Sequence, residues 1–236
     1  MQKQSKRLRK PTAPTGIRPT NLSETEMKYE ILKDEFIEFD GRKLYRIKAL
    51  KDFRNVKKGT VGGYIESEQN LSQQGNAWVS DNAQVYGDAQ VYGDAWVSDD
   101  AWVFDDAQVS GNAWVSGDAR VSGDARVFGN AWVFDDAQVS GNAQVSGNAW
   151  VSDNAQVYGN NAVVWFSNVG TENGTLTVYC GKNGLIATRG CFTGSVEEFL
   201  AKSAKVHDEK TKREYELLIE FARSRLGEAQ GNIGEE

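Results

Sequence analysis

The chain has 236 residues, with 33 acidic against 27 basic side chains, a formal net charge of −6 and a pI near 5.1. That balance argues against a general nucleic-acid binder, which needs a positive footprint. No apolar run approaches the ~20 residues of a membrane span and no secretion signal is visible, so a cytoplasmic protein is expected; two cysteines, Cys180 and Cys191, are too few for a structural zinc site.

In chain order, residues 1–26 carry six basic side chains and three prolines with almost no apolar content, and read as a disordered basic tail. Residues 27–62 read as an amino-terminal β cap: strand-like segments at 36–39 and 44–47 flank Asp40-Gly41, a dipeptide suited to a two-residue hairpin turn. Residues 63–162 form the body, in which a six-residue unit, [Asn/Asp]-Ala-x-Val-[Ser/Tyr/Phe]-[Gly/Asp], recurs without insertion from Asn76 to Gly159. Ile65 and Leu71 fall in its Ala slot and suggest a degenerate start near Gly63. The register breaks at Asn160-Asn161. Residues 163–227 read as an α/β cap, with strands at 163–166, 176–179 and 185–188 and a turn at Lys182-Asn183-Gly184. A capping-box helix should open at Ser195, and a second helix should cover 211–226 and stop at Gly227. Residues 228–236 read as a frayed end.

Each slot of the unit has a physical reason. Ala and Val, two apart, share the inner face of an extended segment, while x between them points out. Gly, Asp and Asn at the end of the unit tolerate the left-handed backbone of a tight corner. No proline follows Pro19, so no backbone donor is missing from the ladder between coils. A hexapeptide period is the signature of a parallel β-helix.

The pattern resembles the hexapeptide-repeat family of left-handed parallel β-helices, to which Val79 through Ala83 and Val85 through Ala89 conform. The resemblance implies a mainly β fold with three hexapeptides per coil, five to six coils in all. Stacking at eighteen residues then aligns Trp78, Trp96, Trp114, Trp132 and Trp150 in one outward column. The other two columns are Gln84, Trp102, Arg120, Gln138, Gln156 and Gln90, Gln108, Arg126, Gln144. The corner after the tryptophan face gathers Asp81, Asp99, Asp100, Asp118, Asp135, Asp136 and Asp153, so an aromatic strip beside an acidic ridge is expected.

The family's acyltransferases generally use a histidine base. The one histidine, His207, falls in the helical cap, and no loop excursion interrupts the repeats, so a non-enzymatic reading without cofactor or metal is preferred. Corner aspartates are explained by turn conformation before calcium. The Trp column is the expected interface, most simply with a second copy, although rings braced on one another need no partner.

Residues 51–53, 62–66 and 189–194 also resemble uncharacterised proteins of phages and prophages, a resemblance spanning 27–226. It implies a host-cell setting and a protein that blocks or sequesters a host factor, such as a defence protein or its nucleotide signal. A divergent acyltransferase, an acidic DNA mimic and a filament-forming protein are the alternatives.

Overall fold

The computed structural model describes residues 26–159, 162–181 and 184–227. The expected basic tail before residue 26, the register break at Asn160-Asn161, the turn at 182–183 and the end after 227 lie outside these.

Strands β1 (Tyr29–Phe39) and β2 (Arg42–Ala49) form the foreseen hairpin. Asp40 and Gly41 both have positive φ, 49° and 72°, as a turn matched to strand twist requires. Between Leu32 and Phe36 the register slips, so three polar residues of β1 bulge out of the ladder. β3 (Val61–Ile65) runs antiparallel to β2 and parallel to Gln84–Val85. The hairpin therefore extends one face of the solenoid edge to edge, removing a free strand edge there.

Fourteen short strands follow, β4 to β17, from Trp78–Val79 to Gln156–Tyr158. They pair in parallel with partners eighteen residues away, Trp114 with Trp132 and Arg120 with Gln138, and make three sheets. The result is a parallel β-solenoid of about five turns. Ala and Val of every unit between Ala77 and Val157 are at most 1% exposed. The interior of these units is thus lined by Ala and Val, which leaves little slack for volume changes.

The degenerate first coil differs from the expected register. Ile65 lies opposite Val85 and Leu71 opposite Val91, so both occupy the Val slot, not the Ala slot. Leu71 to Val79 spans two residues more than one unit. Two residues is one strand repeat, so Ile65 and Leu71 still point inward and are fully buried.

The corners explain the last slot. The left-handed residues are Gly at 87, 93, 111, 117, 123, 129, 141, 147 and 159 and Asp at 81, 99, 105, 135 and 153. Where Asp stands, its carboxylate can also reach the next coil: Asp99 Oδ2 accepts from the Gly117 N–H at 3.1 Å and Asp105 Oδ2 from the Gly123 N–H at 3.2 Å. The aspartates are thus turn residues and backbone acceptors together.

Gly62 and Gly63 serve close approach, since neither has a positive φ. A Cβ on Gly62 would lie 2.5 Å from the Val79 carbonyl and 2.6 Å from the Trp78 ring, inside a buried joint. Gly62→Ala is expected to destabilise the protein by about 2 kcal/mol or more, read as a lower urea midpoint, whereas Gly41→Asn at the open hairpin turn should cost a few tenths of that.

At the carboxyl end, β18 (Val163–Val169), β19 (Gly174–Gly181), β20 (Gly184–Arg189) and β21 (Phe192–Ser195) form an antiparallel sheet. The last of these was not foreseen. The terminal coil is closed by hydroxyl groups: Thr177 Oγ1 accepts from the Trp150 N–H at 3.1 Å, while Thr188 Oγ1 and the Tyr179 hydroxyl donate to the carbonyls of Trp150 and Ser152. These side chains satisfy an edge that a further coil would otherwise pair.

Helix α1 (Val196–Val206) opens with the expected capping box between Ser195 and Glu198. Helix α2 (Glu209–Leu226) starts two residues before the expected position because Asp208 caps it, accepting from the Thr211 N–H at 2.8 Å. Gly227 does end it, but with φ −63°, so no left-handed cap is used. Tyr215, Ile219, Ala222 and Leu226 pack on the sheet with Val178 and Phe199 in a core separate from that of the solenoid.

Candidate functional site

The tryptophan column exists, but its rings have different fates. Trp78 is 1% exposed, held edge-on by Phe53 at 5.4 Å and Tyr29 at 6.5 Å, so it belongs to the amino-terminal joint and not to the surface. Trp96 is half-buried and donates from Nε1 to Ser80 Oγ at 3.2 Å. Trp114, Trp132 and Trp150 are 40%, 38% and 38% exposed. Trp132 and Trp150 lie parallel at 5.1 Å, and Trp114 meets Trp132 at the same separation but tilted by 62°. The ladder expected over five coils is therefore an exposed strip of three rings.

The strip has two unlike borders. On one side are exposed Asp81, Asp99, Asp100, Asp135, Asp136 and Asp153, as expected, with Asp118 among them. On the other, Asn112, Asn130 and Asn148 hydrogen-bond in series through their side-chain amides, each step 3.1 Å. Between strip and ridge lies a shallow groove of about 360 Å³ lined by Trp114, Trp132, Trp150, Phe134, Asp99 and Asp135. The Trp114 Nε1 is already satisfied by Ser98 Oγ at 3.1 Å. The groove thus presents ring faces with acceptors along one margin.

Trp102, the aromatic residue outside the column, is covered by the hairpin tip: Phe39 sits edge-on to it at 4.9 Å and also meets Tyr86, which stacks on Phe104 at 5.2 Å. The repeat positions of these rings gave no hint that a hairpin would claim them.

His207 is the C-cap of α1, with its ring 5.5 Å from that of Tyr215. It lines a second pocket, in the carboxyl-terminal cap, with Arg189, Cys191, Phe192, Lys202 and Ser203. This pocket was missed. Residues 189–194 had stood out only through resemblance, and the pocket assembles from segments that are distant in sequence. Among the described residues no group of three or more His, Cys, Asp or Glu is arranged to hold a metal ion. No described helix is long and apolar enough to cross a membrane.

Comparison with known proteins bears on the repeats. Six segments, in three overlapping pairs covering residues 83–104, 107–135 and 137–159, match the model described as the YdcK beta solenoid repeat. The repeat array is a hexapeptide-repeat-like β-helix. A relative in Escherichia coli (strain K12), the uncharacterized acetyltransferase YdcK, is 44% identical over 57 residues. That match spans 22% of this chain and 18% of the relative's length. The likeness to that relative thus covers about a fifth of each chain, and most of that protein has no counterpart in the match.

Proposed function

We propose that the protein is a non-enzymatic binding solenoid that self-associates through the Trp114, Trp132 and Trp150 face. The observation that carries this reading is the continuous strip of three exposed rings between an acidic and an amide border. A second copy facing the first with its coils running parallel sets each Asp border against the partner's Asn border. The reversed arrangement sets Asp against Asp, which like charge disfavours. The strip is therefore self-complementary in one orientation, as a two-fold interface requires. Light scattering on the wild type and on the variant with all three rings replaced is the test.

The resemblance to phage and prophage proteins supports a host factor as the target that the assembled solenoid blocks. This is checked by whether one defined host protein co-purifies at fixed stoichiometry with the wild type and not with the variant.

The YdcK match favours acetyl transfer as a second reading. On this chain the base would have to be His207, which sits in the carboxyl-terminal cap and not on a solenoid face. Titration with acetyl-CoA is expected to show no saturable binding. Binding with turnover that is lost in His207→Ala would establish the second reading instead.

A further inference from the structure

The pocket in the carboxyl-terminal cap has features that packing of the cap does not explain. It is a cavity of about 190 Å³ between the end of β20, the start of β21 and both helices. Its lining divides by chemistry. Phe192, Phe199 and Val206 supply an apolar wall, while Arg189, Lys202 and His207 bring nitrogen donors. The acidic group on the rim is Glu172, whose side chain is 83% exposed and lies 3.7 Å from Arg189 Nη1.

Two lining residues carry unpaired donors. Ser203 is 4% exposed, and among the described residues its Oγ has no hydrogen-bond partner. Arg189 has a side chain 12% exposed; Nη2 donates to the Val169 carbonyl at 3.2 Å, but Nε is buried and, among the described residues, without a partner. Leaving such donors unpaired opposes folding, and the arginine persists in a cap that has otherwise satisfied its helix ends. Lys202 Nζ stands over the Phe192 ring at 5.1 Å, held beside the pocket by a cation–π contact.

We infer that this pocket binds a small organic carboxylate with an apolar body. The carboxylate accepts hydrogen bonds from the Arg189 guanidinium and Lys202 Nζ, and the body lies against Phe192, Phe199 and Val206. A carboxylate is acceptor-only and planar, which suits a guanidinium donor, and charge-assisted bonds to it are the strong kind. The size of the cavity restricts the body to a single ring or short branched chain. This inference is independent of the tryptophan face.

The probe is benzoate, titrated by calorimetry into the full-length protein, with inorganic phosphate and cyclohexanol as comparisons. Saturable one-site binding of benzoate is expected, with neither comparison competing. Arg189→Gln is expected to weaken benzoate about tenfold or more, because a neutral amide replaces the guanidinium. Lys202→Met, on an exposed helix position, should weaken it about tenfold without a change in fold. Absence of saturable benzoate binding overturns the inference. So does unchanged affinity in both variants, and phosphate binding as tight as benzoate would overturn the assignment of an apolar-bodied ligand.

Discussion

Replacing Trp114, Trp132 and Trp150 together by Gln is expected to reduce the solution mass from two chains to one, with circular dichroism unchanged. Gln is the residue that the other two columns use at the same slot, so the coil itself should tolerate it. Three rings on each copy, each about 40% exposed, offer about 100 Å² apiece, so covering all six contributes on the order of 15 kcal/mol gross. Association costs about 4 to 15 kcal/mol, so the rings leave a modest net gain, and the amide and acidic borders act mainly to fix the orientation of the pair. A micromolar dimer is therefore expected, visible at tens of micromolar and dissociating on dilution. A wild type that stays single-chained at several hundred micromolar would refute the proposal. Trp78→Gln offers the contrast: it should leave the mass unchanged and lower stability by about 3 kcal/mol or more, since that ring is buried in the amino-terminal joint.

Lys28 gives the second large effect. It is fully buried, donating from Nζ to the Ala77 carbonyl at 2.7 Å, with the Phe53 ring 5.3 Å away. Burial, helped by the charge of Lys51 and opposed by Asp94, lowers its pKa from 10.5 to about 7. The unfolded chain keeps the higher value, so between pH 7 and 10.5 the unfolded state holds the extra proton and stability rises with pH across that window. The fall in pKa corresponds to on the order of 5 kcal/mol, present as a burden on the folded state below pH 7. Lys28→Met removes the burden but leaves the Ala77 carbonyl without its donor, a loss of about 1 to 3 kcal/mol. The variant is expected to be more stable than wild type by roughly 2 to 4 kcal/mol at pH 6 and no more stable at pH 10. Equal shifts of the urea midpoint at the two pH values would show that the amine does not titrate in the fold.

The period of the sequence was enough to place Trp114, Trp132 and Trp150 in one column, because a six-residue unit without insertions has a single stacking number that aligns them. The corner slot was equally legible, since Gly and Asp supply every left-handed position between Asp81 and Gly159. The fate of Trp78 was not, because it is decided by Tyr29 and Phe53, which lie outside the repeat and carry no periodic signal. The slip of Ile65 and Leu71 into the Val slot escaped for a related reason: both slots face inward, so hydrophobicity cannot distinguish them. The carboxyl-terminal pocket depends on residues from Thr171 to Tyr215 meeting across a sheet and two helices. Capping boxes and strand patterns locate such elements but not the space between them.

The two ends of the solenoid are chemically unlike its middle: one face continues edge to edge into the amino-terminal hairpin, and the last coil is closed by Thr177, Thr188 and Tyr179. Neither end refers to how many coils lie between. Duplication or loss of one eighteen-residue segment in the interior therefore lengthens or shortens the rod by ~4.8 Å and leaves both terminations intact. Where the duplicated segment carries a tryptophan at the column slot, the strip gains a ring with the coil. The gene can thus adjust reach and stickiness together in discrete steps, by recombination between near-identical repeats, with no new residue having to be invented.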